Sequence, residues 1–141
     1  MKLRHPWLDV LRQVPLFAEC TDEELDRIDA LFAEAEVPPG HVLLREGSIG
    51  RQFVVILTGE ASVTREGVEV NRLGPGDFLG EMALLHSTPR QATVTAMAPM
   101  TIYVATAGEF SALLVEAPSI ARKIRRADEE RRPDQTSSQT P

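Results

Sequence analysis

One acid and one base stand in the otherwise apolar stretch FLGEMALLHSTPRQATVTA, residues 78–96. They are Glu81 and Arg90, and their types suggest chemistry. Gly80, just before the acid, allows a tight turn, and EMALL has the helix formers for about a turn and a half of helix. The start of a helix leaves backbone N–H groups unpaired and pointing outward, a setting that suits an anion. Arg90, just after Pro89, adds a planar fork of donors that reaches the same anion. Glu81 conflicts with an anion taken alone, because a carboxylate repels it. A ligand carrying both a phosphate and a hydroxyl donor reconciles the two. The competing reading is an ion pair that ties a turn to a strand.

The whole chain limits what can surround these residues. With 141 residues, 43% hydrophobic and 26% charged, it has the size and composition of one ordinary water-soluble domain. The longest purely apolar run, Phe53 to Leu57, is too short to cross a bilayer, so no membrane partner is expected. MKLRHPWLDV has no apolar core of a signal peptide. The single cysteine, Cys20, excludes an internal disulfide and points to a reducing, cytoplasmic compartment. Net charge is −6, unevenly spread: residues 118–141 hold six Lys/Arg against four Asp/Glu, and residues 1–117 hold nine against seventeen. So acidic a body repels a nucleic-acid backbone, and the mixed charges of the tail read as a solvated helix face.

The first 36 residues read as helical. Thr21 and Glu24 form a capping box, and Leu25, Ile28, Leu31, Phe32 and Ala35 follow on one helical face until VPPG (37–40) stops it. From His41 to Ala105 the segments HVLLR, QFVVILT, ASVTRE, VEVNRL, ATVTAM and TIYVA read as short strands between Gly and Pro turns. Their spacing predicts an antiparallel sandwich or barrel. Thr106 and Glu109 make a second capping box, ahead of Phe110, Leu113, Leu114 and Ala117 on one face. Pro118 breaks that helix, and Ile120, Ala121, Ile124 and Ala127 form a thinner stripe toward Arg132. The expectation is one domain over 1–132, with the β-roll at about 37–106 and C-terminal helices at about 107–132. PDQTSSQTP (133–141) has the composition of a disordered tail.

A ribose phosphate has the chemistry that Glu81 and Arg90 ask for. A nucleoside 3′,5′-cyclic monophosphate meets it best, because its ring holds the 2′-hydroxyl beside a singly charged phosphate. At these residues LGEMALLHSTPRQATVTA resembles the phosphate-binding cassette of the cyclic nucleotide-binding domain family, which includes catabolite activator proteins, protein kinase A regulatory subunits and cyclic-nucleotide-gated channels. Upstream, REGSIGRQFVVILTGEASV is similar to that family's Glu-Gly turn, aromatic-led strand and Gly-Glu hairpin. The resemblance runs from about Val14 to Arg126. It implies an eight-stranded antiparallel β-roll (a jelly roll) with N-terminal helices and two C-terminal helices. It also implies that Glu81 accepts the ribose 2′-hydroxyl and Arg90 pairs with the cyclic phosphate. Gly80, Met82, Ala83 and Ala92 would supply amides or close approach. Val63 and Leu73 are expected from strand alternation as an apolar wall for the base. The family's purine lid comes from its last helix, where Arg122 and Arg125 are the candidates; the alternative is that both are solvated, Arg125 pairing with Glu129. Ser48 replaces an acid common in the family. Gln91 stands where threonine often accompanies cGMP preference and alanine or serine cAMP, so cAMP is the expected ligand, with cGMP second.

Other functions find less support. His5, His41, His86 and Cys20 show no metal-ligand spacing, and no nucleophile motif is present, so neither a metal, a cofactor nor catalysis is expected. A cupin-like enzyme needs a His-x-His cluster that the chain lacks. A degenerate domain acting only through protein contacts sits poorly with an intact cassette. A DNA-binding regulator needs a helix-turn-helix beyond the last helix, and none follows, so nucleic acid is not an expected partner. The expectation is a stand-alone sensor, monomeric or weakly dimeric, that signals to an unidentified effector protein. In it, ligand draws the cassette helix inward and the last helix swings about Ala117–Pro118.

Overall fold

The computed structural model describes residues 8–86 and 88–131. Helices α1 (Leu8–Gln13) and α2 (Asp22–Asp29), with a 3-10 turn at Pro15–Phe17 between them, precede the strands. β1 (Ala33–Val37), β2 (Val42–Leu44), β3 (Gln52–Thr58), β4 (Ala61–Arg65), β5 (Val68–Leu73) and β6 (Phe78–Leu79) lead to helix α3 (Glu81–His86). β7 (Thr93–Ala96), β8 (Met100–Thr106), α4 (Ala107–Glu116) and α5 (Pro118–Arg131) complete the order. The strands form two antiparallel four-stranded sheets, ordered β1-β8-β3-β6 and β2-β7-β4-β5. This is the eight-stranded roll with flanking helices that the resemblance implies.

The unbroken apolar run of β3 follows from its place between two cores. Phe53, Val55 and Leu57 face the helices, where Leu11, Phe17, Leu25, Ile28, Phe110, Leu113, Ile120 and Ile124 are buried with them. Val54 and Ile56 face the other sheet and meet Leu79, Val94, Ala96, Met100 and Ile102. A half-exposed strand would alternate; this one has no polar side to show.

The helix boundaries follow local chemistry. Both capping boxes are formed, with the Thr21 and Thr106 hydroxyls accepting from the amides of Glu24 and Glu109. Ala117 leaves the helical region at φ −134°, and Pro118 opens α5. The Tyr103 hydroxyl donates to Asp29 at 2.6 Å, docking the end of α2 on β8. Burial, followed by that bond, pushes the phenol well above the usual tyrosine range.

The N-terminal reading needs a correction. The helix expected to run on to Ala35 ends at Asp29, and Ala33–Val37 is a strand paired with β8 from Ala33↔Val104 to Val37↔Met100. Ala-Glu-Ala-Glu-Val alternates with a period of two, and the open edge of β8 makes that pattern worth more than helix propensity. VPPG therefore turns one strand into the next instead of stopping a helix. β6, only two residues long, also went unread as a strand. The tail expected at 133–141 lies outside the described residues.

Phe53 holds the helical layer together: its ring lies 4.9 Å from that of Phe110, 5.6 Å from Phe78 and 6.2 Å from Phe32. Phe53→Ala is expected to cost about 3–5 kcal/mol, measured as a lowered urea midpoint. A loss below about 1 kcal/mol would mean that the site collapses to fill the gap.

Candidate functional site

β6 can be no longer than two residues because Gly80 turns the chain at φ +100°. A Cβ there would lie 2.5 Å from the Gln52 carbonyl oxygen, so only glycine fits. The turn starts α3 at Glu81. After α3 the chain returns beside the loop before β3. There the Arg90 amide donates to Ser48 O at 2.8 Å, and the Gly47 amide donates to Arg90 O at 2.9 Å.

This backbone pairing delivers the Arg90 side chain into the fold. Nη1 donates to Gly80 O at 3.0 Å and Nη2 to Gln52 O at 2.8 Å. The guanidinium also lies over Gly50, where a Cβ would come within 1.7 Å of Nε. Arg90 is 6% exposed and Glu81 1%. Burial pushes the Arg90 guanidinium below the usual arginine range, and the Glu81 carboxylate acts against that shift. Two opposite charges are thus held out of water on neighbouring backbone. Neither is tolerable there without hydrogen bonds and a counter-charge.

Both open into a cavity of about 580 Å³. Its wall is apolar, from Leu44, Val63, Val70, Leu73, Leu79 and Val94, with Gly80, Gln91 and Ala92 beside the charged pair. Arg65, Asn71 and Glu130 add polar groups. Several wall residues also belong to the core between the sheets, so the cavity is the unfilled end of that core. Chemically it can hold a small ligand with a flat apolar body, an anionic group for Arg90 and a donor for Glu81.

Of the residues expected from sequence, Gly80, Glu81, Arg90, Gln91, Ala92, Val63 and Leu73 all line this cavity. Met82 and Ala83 fall within α3. Arg122 and Arg125 do not line it: both are exposed on α5, and among the described residues of that helix Glu130 does. The reason is helical phase. Ile120, Ala121, Ile124 and Asp128 are the buried face of α5, which turns Arg122 and Arg125 to solvent.

Sequence reasoning passed over several contributors. Gln52 acts through its carbonyl and Gly50 through the side chain it lacks, so neither shows a chemical type to read. Val70 reaches the cavity because the β4–β5 register shifts between Val63↔Asn71 and Thr64↔Glu69, leaving it as the extra residue of a bulge. Asn71 comes to the cavity through the same pairing, opposite Val63.

Comparison with known proteins follows from this geometry. The family model for the cyclic nucleotide-binding domain matches residues 34–117. A cyclic nucleotide-gated potassium channel of Rhizobium etli is 37% identical over 119 residues, covering 84% of this chain and 33% of that protein. A cAMP-dependent protein kinase regulatory subunit of Yarrowia lipolytica is 39% identical over 88 residues, 61% of this chain and 24% of that one. The regulatory domain of Toxoplasma gondii PKA, in a co-crystal structure with cAMP, superposes with a TM-score of 0.65 at 31% identity, over 74% of this chain and 42% of that chain. The chain thus spans between a quarter and a third of the curated relatives it matches.

The contact between Gly50 and Arg90 can be tested without ligand. Gly50 does not have a positive φ, so strain in Gly50→Ala comes from the guanidinium alone. That substitution is expected to destabilise by about 1–3 kcal/mol in the native background. In an Arg90→Ala background it is expected to cost almost nothing, a coupling readable by urea denaturation of the four proteins. Additive effects would show that the two residues do not meet.

Proposed function

The chain belongs to the cyclic nucleotide-binding domain family, and from that premise we propose that it binds cAMP as a regulatory module and releases it unchanged. The observation that carries this reading is the pairing of buried Glu81 with buried Arg90 at the edge of one apolar cavity. Arg90, held in place by the Gly80 and Gln52 carbonyls, offers its remaining N–H donors and its charge to a phosphodiester, and Glu81 accepts the ribose 2′-hydroxyl. Backbone from Gly80 through Ala83 and at Ala92 closes around the cyclic phosphate. Val63, Leu73 and the apolar residues beside them take the base.

The choice of cAMP over cGMP rests on Gln91, which lines the cavity without the hydroxyl that threonine would offer there. It is supported by the names of the kinase regulatory subunits among the relatives. Those names also support a non-catalytic role, in which occupancy of the site is the signal and an effector protein reads it. Among the described residues, no helix is long and apolar enough to cross a membrane.

Titration calorimetry with cAMP, cGMP and 5′-AMP at one salt concentration tests the reading. cAMP is expected to bind, cGMP more weakly, and 5′-AMP not at all. Arg90→Ala is expected to lose about 2–5 kcal/mol of binding, the usual result of leaving a buried charge partner unmatched. Glu81→Ala should abolish the preference for cAMP over its 2′-deoxy analogue. Silence toward all three nucleotides would leave Glu81 and Arg90 as a structural ion pair.

A further inference from the structure

We propose that Glu46, which does not line the cavity, is a positioning residue for the site: its carboxylate ties the β4–β5 hairpin to the loop that holds Arg90, and so sets the spacing of two sides that grip a cyclic nucleotide. The inference rests on the cyclic-nucleotide reading above. Glu46 follows β2 at the end of the sheet ordered β2-β7-β4-β5. Its amide donates to Thr93 Oγ1 on β7 at 2.9 Å. Its Oε1 accepts from the amide of Glu66, in the β4–β5 turn, at 3.0 Å. The next residue, Gly47, donates its amide to Arg90 O. One residue therefore reaches from the end of β2 past β7 and joins the backbone of Arg90 to the tip of the hairpin.

The hairpin tip has a physical use for that bond. Arg65 pairs with Val68, so the turn consists of Glu66 and Gly67 alone, at φ 51° and 83°. Two positive φ values suit the twist of the strands, and Asn-Gly is the preferred pair for them. Glu66 is the one non-glycine residue with a positive φ among the described residues, and it lacks the short side chain that eases this conformation in asparagine. In such a turn the ladder uses the amides of Arg65 and Val68 and leaves that of Glu66 directed outward. Glu46 meets this amide with a carboxylate, a stronger acceptor than a neutral group. Both residues are acids, so the bond engages the backbone of Glu66 and not its side chain.

The residues flanking the tip connect it to the ligand. Arg65, immediately before Glu66, lines the cavity, as do Val63 two residues earlier and Val70 in the bulge of β5. β5 is an edge strand with β4 alone beside it, and it is exposed from Val68 to Arg72. The ladder is also interrupted between Val63 and Thr64. This wall of the cavity thus rides on a hairpin with one open edge and a break in its pairing, and Glu46 ties it to the segment that fixes Arg90. Without the tie, the hairpin samples positions that do not match the distance to Arg90, and only the matched fraction binds. An effect through charge has the opposite sign, because removing an acid near an anion site strengthens binding.

The test is the dissociation constant of cAMP, with the urea midpoint beside it, for the wild-type chain, Glu46→Ala, Glu46→Gln, Glu66→Asn and the double variant Glu46→Ala with Glu66→Asn. Glu46→Ala is expected to bind about three- to tenfold more weakly than the wild type. Glu46→Gln keeps an acceptor oxygen and is expected to lie nearer the wild type. Glu66→Asn gives the turn a residue that favours it unaided, so the double variant is expected to recover most of the lost affinity. Hydrogen exchange at the amide of residue 66, followed by NMR, is expected to quicken in Glu46→Ala and to stay slow in Glu46→Gln. Glu46→Asp retains the charge but not the reach; it is expected to show the same loss and decides the matter if Glu46→Ala does not fold. Unchanged or tighter cAMP binding by Glu46→Ala overturns the proposal even if its urea midpoint falls, since the bond then serves stability alone. Failure of Glu46→Gln or of the double variant to recover affinity overturns it too. No cAMP binding by the wild type overturns the functional reading and this proposal with it; wild-type binding with none of these losses overturns this proposal only.

Discussion

The burial of one guanidinium governs the architecture around the site. Arginine cannot escape burial by losing its proton, so its donors must be met where they lie. Gly80 and Gln52 meet two of them with carbonyl oxygens. Each such bond to a charged group is worth about 1.5–3 kcal/mol, against a desolvation penalty of several kcal/mol for the ion. The two terms are of similar size, and Glu81 supplies the counter-charge. Several local features follow. β6 must stop after two residues so that Gly80 can turn its carbonyl toward the cation, Gly50 must lack a side chain, and the loop from Gly47 must run beside Arg90. The guanidinium that borders the cavity is thus already oriented by backbone, and little of its side-chain freedom remains.

That arrangement needs a rigid frame, which β3 supplies. Its first residue gives the carbonyl to Arg90, and the residues after it are buried on both faces. The same strand therefore joins the helical core, the core between the sheets and the charged pair. The cavity is where the intersheet core is left unfilled, and residues such as Val63 and Leu73 serve both packing and cavity wall. A substitution at these positions alters core packing and cavity shape together.

What could be read in the sequence was whatever is carried by side-chain type. The β-branched runs of β3, β4, β7 and β8, both capping boxes, the break at Pro118 and the pair Glu81–Arg90 all announce themselves. β1 did not, because Ala and Glu are good helix formers and only the alternation of Ala33 to Val37 opposes that preference, an alternation that acquires value once β8 offers an edge. β6 is too short to have a period. Gln52 and Gly50 act through a carbonyl and an absence. The register shift that brings in Val70 arises from pairing between strands, which no single segment encodes. The orientation of Arg122 and Arg125 depended on the phase of α5, and the buried Ile120–Ile124 stripe already carried that information.

The phase of α5 also sets the charge that a ligand meets. With Arg122 and Arg125 turned to solvent, α5 brings a carboxylate, Glu130, to the cavity. Among the described residues lining the cavity, Arg65 and Arg90 are then matched by Glu81 and Glu130, so the lining is formally balanced. A ligand with one negative charge unbalances it by one and leaves that charge to Arg90. An open phosphate monoester, carrying more charge at neutral pH, would unbalance it further beside two carboxylates in a partly dehydrated space. On the proposed reading, discrimination for a cyclic phosphodiester need not come from shape alone. The charge count of the described lining would then contribute to it as well.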